Sequence, residues 1–594
     1  MSATIKESFY EQRRNIFSAS LEKTTKQINW ISNLRLVAAG ILLIGLYFGF
    51  SYSILFYVLP IFLIAFIVLV LKHSKLFGIK THLENLVKIN VNEIQSLRGN
   101  FSGFRSGSKF INPHHAYTHD LDIFGEGSLF QYINRSSTLQ GAIQLASALA
   151  NPLTSRESIL AKQAAVKELA EKPDFRQHFQ ATGMELEEFK QDRDQLLDWI
   201  KEEPFLYGKH FYKILLWVLP TLTVALIIAS FFIDAVTIFA VASVALQWVL
   251  FGFHAKRISS FHHYISKKKN ILDKYARLLH LFGKENFKSA LLLKLSSEAM
   301  YGDKKIKALA SLVGSLDARL NFMTNLFVNS TLLYDLQCVY RLEKWKEENA
   351  QKLKTWINVI SETDVICSFA TLAFNNPDFT FPSINKEQKI SARSMGHPLL
   401  QKHARVTNDL IFGPEHSVMI ITGANMAGKS TFLRTLGVNM ILALNGAPVC
   451  AQELSCPIIS IRSGMRTADS LQENQSYFYA ELARLKTIMD ELRSGNALLV
   501  LLDEILKGTN STDKQAGSIA LVKQLLTKSC LAIIATHDLA LGELEIEHPH
   551  RVKNFCFEPT IENDQLSFDY KLKSGLAKKM NATFLMKKMG IIPS

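Results

Sequence analysis

The sequence predicts an α/β phosphate-loop domain towards the C-terminus, preceded by an all-α core and lever region with two transmembrane helical hairpins. Three observations predict it. A short apolar strand runs directly into a glycine loop and then a helix at Ser417–Arg434. Two further apolar strands end in Asp503-Glu504 and in His537-Asp538. Two long tracts, Leu36–Leu71 and Ile214–Ala255, are almost free of charge.

The bulk composition agrees with a chain of several domains. At 594 residues it can bury more than one core, and its 48% apolar content exceeds the need of a soluble enzyme. The net charge of +14 fits a nucleic-acid partner, an anionic lipid surface or the lysine excess of cytoplasmic loops, and does not choose among them. The six cysteines form no Cys-x-x-Cys pair, which argues against a zinc site or a disulfide framework and for a reducing, cytoplasmic setting.

Leu36–Leu71 carries no charged residue, a run too long for one span of about 20 residues and right for two short ones. Gly49, Ser51, Tyr52 and Ser53 mark the turn. Ile214–Ala255 reads as two more spans turning around Phe232–Ala235, with Asp234 its only acidic residue and His254 at its end. Lys23, Lys26, Arg35, Lys72, Lys75 and Lys80 bracket the first tract. Lys209, Lys213, Lys256, Arg257 and Lys267–Lys269 bracket the second, and neither turn contains Lys or Arg. The positive-inside rule then puts the long segments in the cytoplasm and only the turns outside. A multi-pass membrane protein with about four spanning helices is expected.

Between and after the hairpins the pattern is helical. His119–Leu153 reads as a loop and an amphipathic helix ended by Asn151-Pro152. Ser155–Lys172, Met184–Glu203, Lys267–Phe282, Lys304–Phe327 and Tyr334–Ile360 read as further helices. His114, His115 and His119 lie close together, but without a carboxylate–histidine pattern they read as loop histidines. The expected division is an N-terminal region with the first hairpin at 1–119, a helical core and lever at 120–395, and the α/β domain at 396–594.

In Gly423-Ala424-Asn425-Met426-Ala427-Gly428-Lys429-Ser430-Thr431 the glycines allow backbone N–H groups to converge on phosphates, and the helix start adds its positive dipole end. Lys429 supplies a point charge to the β- and γ-phosphates, and the Ser430 hydroxyl suits Mg²⁺. Leu498–Leu502 is wholly apolar, as a central parallel strand should be. At its end, Asp503 can hold Mg²⁺ through water and Glu504 can act as general base on the attacking water. His537 follows the apolar strand Leu531–Thr536, where it can contact the γ-phosphate. ATP and Mg²⁺ are the ligands these groups fit, and Mg²⁺-dependent ATP hydrolysis is the expected reaction.

These motifs, in this order, resemble the MutS family. Thr422–Arg434 (TGANMAGKSTFLR) is similar to that family's phosphate loop, Leu501–Asp513 (LLDEILKGTNSTD) to its magnesium-site strand and dimer-contact loop, and Ala535–Leu544 to its histidine motif. Gly396–Leu400 and Asn408-Asp409 resemble the start of its ATPase domain, and Asp469–Phe478 its signature segment. Ser574–Ala577 and Met589–Pro593 resemble its closing part. Weaker likeness continues in Asp120–Phe124, Gly127–Phe130 and Asp364–Ala373.

The resemblance implies an ABC-type ATPase that works as a homodimer through its heads, with nucleotide between subunits and Ser476 reaching the partner's γ-phosphate. It also implies action on double-stranded DNA, related to mismatch repair. The chain departs from the family plan in three respects. The stretch before His119 leaves no room for both a mismatch-reading and a connector domain, a hairpin interrupts the core, and Asn474-Gln475 replace small and basic residues before the serine. Arg405–Thr407 offers no aromatic for the adenine. Two readings of function follow: a DNA-acting ATPase tethered at the lipid bilayer, or a membrane machine in which ATP-driven dimerisation moves the hairpins, with no DNA role.

Overall fold

The computed structural model describes residues 2–49, 52, 55–266, 268–317, 322–466, 477–506, 510–562 and 565–578. The signature segment as far as Ser476, Lys507–Thr509 and the closing Met589–Pro593 lie outside the described residues. Helices predominate as far as Asn375, and among the described residues three β-sheets with flanking helices follow, the smallest the antiparallel pair Pro559–Glu562 and Gln565–Phe568.

The first apolar tract lies on two helices much longer than the tract itself, Ser2–Gly49 and Leu55–Leu97. Their charged ends run on as a paired stalk that docks on the core. Tyr10 Oη donates to Asn375 at 2.7 Å, and Arg13 pairs with Asp174 at 2.6 Å. Glu93 accepts from Arg135 and, at 2.8 Å, from Asn375. Leu86 and Ile89 bury themselves beside Ala181, each side chain stabilising the joint by about 2 kcal/mol.

The second tract forms His210–Ser230 and Thr237–Ile265, with the short 3₁₀ turn Asp234–Val236 between them. Among the described residues, five helices are long and apolar enough to cross a membrane by length and composition. In the four that form the hairpins, between 0% and 22% of the most apolar stretch is buried in the protein; in Tyr334–Asn375 it is 78%. The fifth is therefore a core helix, while the hairpins turn their apolar side chains outward.

Tyr334–Asn375 is the axis of the helical region, and it extends well beyond the Ile360 expected from periodicity. Three buried groups on it hold neighbouring backbone. Glu343 accepts the N–H groups of Phe205, Leu206 and Tyr207 at 2.8, 2.9 and 2.7 Å, just ahead of the second hairpin. The Lys346 ammonium donates to Glu202 O at 2.6 Å. Asp364 accepts from the backbone and hydroxyls of Ser137 and Thr138, and Thr138 in turn caps the helix Leu139–Ala150. Of the expected helix Lys304–Phe327, the described residues form Gly302–Asp317 and Phe322–Leu332, with 318–321 between them outside the described residues. Met184–Glu203 narrows to Lys190–Lys201, and Ala290–Ala299 is an additional helix.

The larger sheet has six strands in the order Lys573–Ser574, Val552–Phe557, Val418–Gly423, Cys530–Thr536, Leu498–Asp503, Ser460–Gly464. All pairs are parallel except the first. Its central strands are buried on both faces, which is why they read as unbroken apolar runs. A four-stranded sheet built from Ser383–Ile384, Glu453–Cys456, Ile390–Met395 and Asn408–Phe412 stands beside it.

Glu343→Ala would leave three buried N–H groups without their acceptor. The expected loss is about 3 kcal/mol, with early proteolysis within Trp199–Tyr207; an unchanged thermal midpoint and cleavage pattern would contradict this account of the joint.

Candidate functional site

Sheet register assembles the site. Thr422 lies beside Thr536, and Asp503 beside Ala535, so the glycine loop, Asp503-Glu504 and His537 all leave the sheet at one edge. Ligands of parallel α/β sheets bind at this carboxyl edge.

The loop takes the conformations that its glycines permit. Gly423 has φ 150° and Gly428 φ 108°, and a Cβ on Gly423 would meet Phe557 O at 2.5 Å. Met426 (φ 66°) and Glu504 (φ 55°) occupy the left-handed region without being glycine, a cost of about 1–2 kcal/mol each. For Glu504 the cost is offset by its N–H, which donates to Ala535 O at 2.8 Å and aims the side chain across the sheet edge.

The helix Lys429–Leu444 starts at the loop. Lys429 is buried, and its ammonium donates to Gly423 O at 2.7 Å and Ala424 O at 2.9 Å. His537 Nε2 lies 2.7 Å from Asn425 Oδ1, 2.7 Å from Glu504 Oε1 and 3.4 Å from Lys429 Nζ. With its proton on Nε2, the ring shares that N–H between the two oxygens and ties the loop to the carboxylate, with the Lys429 ammonium beside them.

A cavity of about 520 Å³ opens over this cluster. Ala424, Asn425, Met426, Gly428, Lys429, Ser430, Thr431 and Glu504 line it. Asp503 instead lines a small cleft of about 20 Å³ on the other side of Glu504, with Arg466 and Glu481. Gly423 and Ala427 shape the loop from behind. Ser430 and Asp503 offer the oxygen donors that a hard divalent cation takes.

The far wall of the cavity holds groups that the motif reading missed. Tyr570 presses on the loop, so that a Cβ on Gly428 would lie 3.1 Å from its ring, and it stacks on Phe568 at 6.0 Å. Asn408 holds this segment through Tyr570 O (3.1 Å) and Leu572 N (2.8 Å). His397, Val406 and Phe557 complete the wall. The Tyr570 ring comes from far downstream of the loop, and the hint in the sequence was an aromatic pair, Phe568 and Tyr570, two residues apart. Burial, reinforced by Arg434 and Arg405, pushes the His397 imidazole down to about 4, so it lines the wall as a neutral ring.

A second group joins the head to the helical core. Asp120 is fully buried and accepts from Ser463 Oγ (2.7 Å), Met465 N (3.2 Å), Arg466 N (3.0 Å) and Arg484 (2.8 Å). Asp122 takes a two-pronged contact from Arg466 at 2.6 and 3.1 Å, and Arg434, one turn after Ser430, lies 3.5 Å away.

Comparison with known proteins follows the same two regions. The profile of MutS domain III matches residues 115–370, and that of MutS domain V matches residues 419–593. In both regions the chain is similar to the MutS family. It is 29% identical over 249 residues to the DNA mismatch repair protein MutS of Thermotoga maritima, covering 41% of this chain and 31% of that protein. With the protein of the same name from Thermus thermophilus it shares 31% over 240 residues, or 40% and 28% of the two chains. With that of Acetivibrio thermocellus it shares 31% over 231 residues, or 38% and 26%. The matched part thus spans less than a third of each of these MutS relatives. The glycine loop lies within the domain V match, and the hairpin His210–Ile265 lies within the domain III match.

A histidine held neutral by burial binds a proton more readily once unfolded, so stability should fall as pH drops from about 6.5 towards 4. Between pH 7 and pH 5 the protein should lose about 2 kcal/mol more than His397→Gln. Parallel acid-induced losses in denaturation curves of the two proteins would contradict the assignment.

Proposed function

We propose that this protein is a membrane-anchored, Mg²⁺-dependent ATPase of the MutS family, working as a homodimer through its heads. The observation that carries this reading is the convergence of Lys429, Asn425, Glu504 and His537 beneath a cavity of nucleotide size. The phosphates take over the Lys429 ammonium from Gly423 O and Ala424 O and lie along the loop N–H groups. Ser430 and Asp503 would hold Mg²⁺, which would neutralise phosphate charge. Glu504 takes the proton of the attacking water, and His537 orients that carboxylate and registers the γ-phosphate. Tyr570 offers its face to the adenine, opposite neutral His397. Ser476 acts in trans on the partner's nucleotide.

Residues 1–119 form the anchoring region, 120–395 the core and lever, and 396–594 the ATPase domain. About four helices cross the membrane, and the ATPase domain is cytoplasmic. The outward apolar faces of both hairpins and the lysines and arginines at their inner ends support that topology.

For the driven process, the relatives' name supports binding of double-stranded DNA in a mismatch-repair-related role, and the charge of +14 suits it. A second reading, a membrane machine without a DNA role, is favoured by one observation: Glu343 of the lever grips the backbone that leads into the second hairpin.

Lys429→Ala should abolish tight nucleotide binding, whereas Glu504→Gln should bind ATP, lose turnover by at least about 100-fold and accumulate as dimer. Normal hydrolysis by Glu504→Gln would remove it as the base. Binding of the purified protein to duplex DNA, titrated with salt and ATP, separates the two processes. ATP-modulated binding that weakens steeply with salt supports DNA action; none at about 50 mM salt rejects it in favour of the membrane machine.

A further inference from the structure

The segment that joins the helical core to the lever carries an uncharged run of its own, from Leu320 to Tyr334 between Arg319 and Asp335. It is too short to cross a bilayer, which needs about 20 residues. The helix Thr237–Ile265 serves as a ruler for where this run sits, at about 1.5 Å per residue. Asp317, just before the run, contacts His262 at 2.9 Å, about 9 Å to the cytoplasmic side of Lys256. Ser330, near the end of the run, accepts from Trp248 Nε1 at 2.9 Å, about 12 Å inside the uncharged tract. The two contacts therefore lie about 21 Å apart along the hairpin helix, and Ser330 sits near mid-depth of a hydrocarbon layer about 30 Å thick.

It then turns back. Leu333 sits in the left-handed region (φ 48°), and the lever begins at Tyr334. Gln337 donates to Leu216 O at 3.1 Å near the charged end of its hairpin helix, and Glu343 lies at Phe205–Tyr207 below it.

The chemistry of Phe322–Leu332 suits such a position. Phe327 is 64% exposed, and Leu326 and Leu332 also face outward, continuing the apolar surface of the hairpin. The Ser330 and Thr331 hydroxyls donate back to Leu326 O and Phe327 O, so that neither is left unpaired away from water. On the inner side a buried polar set fastens the helix. Gln247 Nε2 donates to Thr223 Oγ1 at 2.6 Å and to Thr331 O at 3.4 Å, and Thr223 bonds Ser243 at 2.5 Å. Polar links of this kind hold helices together where lipid offers no hydrophobic drive.

We propose that Phe322–Leu332 is a re-entrant helix that dips into the bilayer beside the second hairpin, so that the lever helix starts inside the lipid layer. The proposal rests on reading His210–Ile265 as a membrane hairpin. The occupant of its outer face is lipid acyl chain, because that face is continuous with the hairpin's own.

The test places an environment-sensitive fluorophore on single introduced cysteines of the full chain; the six native cysteines are all buried. Phe327→Cys reports on the re-entrant helix, Phe239→Cys on the hairpin, and Leu293→Cys on the exposed core. The proteins are reconstituted in phosphatidylcholine vesicles with or without bromine at mid-chain. Quenching of at least twofold at 327 and 239, with none at 293, is the expected result. Quenching at 239 but not at 327 overturns the re-entrant helix and leaves the hairpin intact. A water-exposed label at 239 overturns both. A label at 327 that is shielded from water yet unquenched by brominated lipid means that protein, such as a second copy, covers the face, and this too overturns the proposal.

Discussion

Asp120 lies on the helical core, and its two oxygens gather donors from three stretches of the head: Ser463, the Met465-Arg466 backbone, and Arg484. A carboxylate without access to water is tolerable only where such partners replace its hydration, so this geometry has little freedom to relax. Met465 and Arg466 lead into the segment 467–476, and Arg484 sits on the helix that follows it. The neighbouring Asp122 adds Arg434, a turn beyond Ser430. One short acidic stretch thus constrains the helix that starts at the glycine loop and both flanks of the signature segment. Relative motion of head and core would strain this contact.

The head and the hairpins follow opposite rules for apolar residues. In the head, the apolar strands disappear between helices and the polar groups collect at one sheet edge. In the hairpins, the apolar residues face out, and the polar ones, Thr223, Ser243 and Gln247, face each other. Each arrangement suits its solvent, water for the first and hydrocarbon for the proposed setting of the second. The lever belongs to both, with Asp335 buried near the hairpin end and Asp364 and Ser368 buried against the core at the other.

Much of this was legible in the sequence, for local reasons. The strand, glycine loop and helix of Val418–Leu444 are contiguous, so spacing alone announces them. The hairpins show because absence of charge over a long run has few other causes. What stayed hidden depended on distant pairing. Tyr570 reaches the loop only through the pairing of Asn408 with the backbone around it, and the Asp120 contacts join residues more than three hundred positions apart. The stalk helices were underestimated because their ends carry no apolar stripe strong enough to betray a helix. Leu320–Tyr334 escaped notice because it is short and contains Asn, Ser and Thr, whose hydroxyls and amides are satisfied only by their neighbours. Ser476 and Met589–Pro593 fall outside the described residues.

The length of Tyr334–Asn375 has a mechanical consequence. A continuous helix of 42 residues is a rod about 63 Å long, anchored near the head by Asp364 and near the hairpin by Glu343. A tilt of about 5° at one end moves the other by about 5 Å, close to one helical turn. Angular changes too small to disturb a sheet register would in this way become displacements large enough to shift one helix past another.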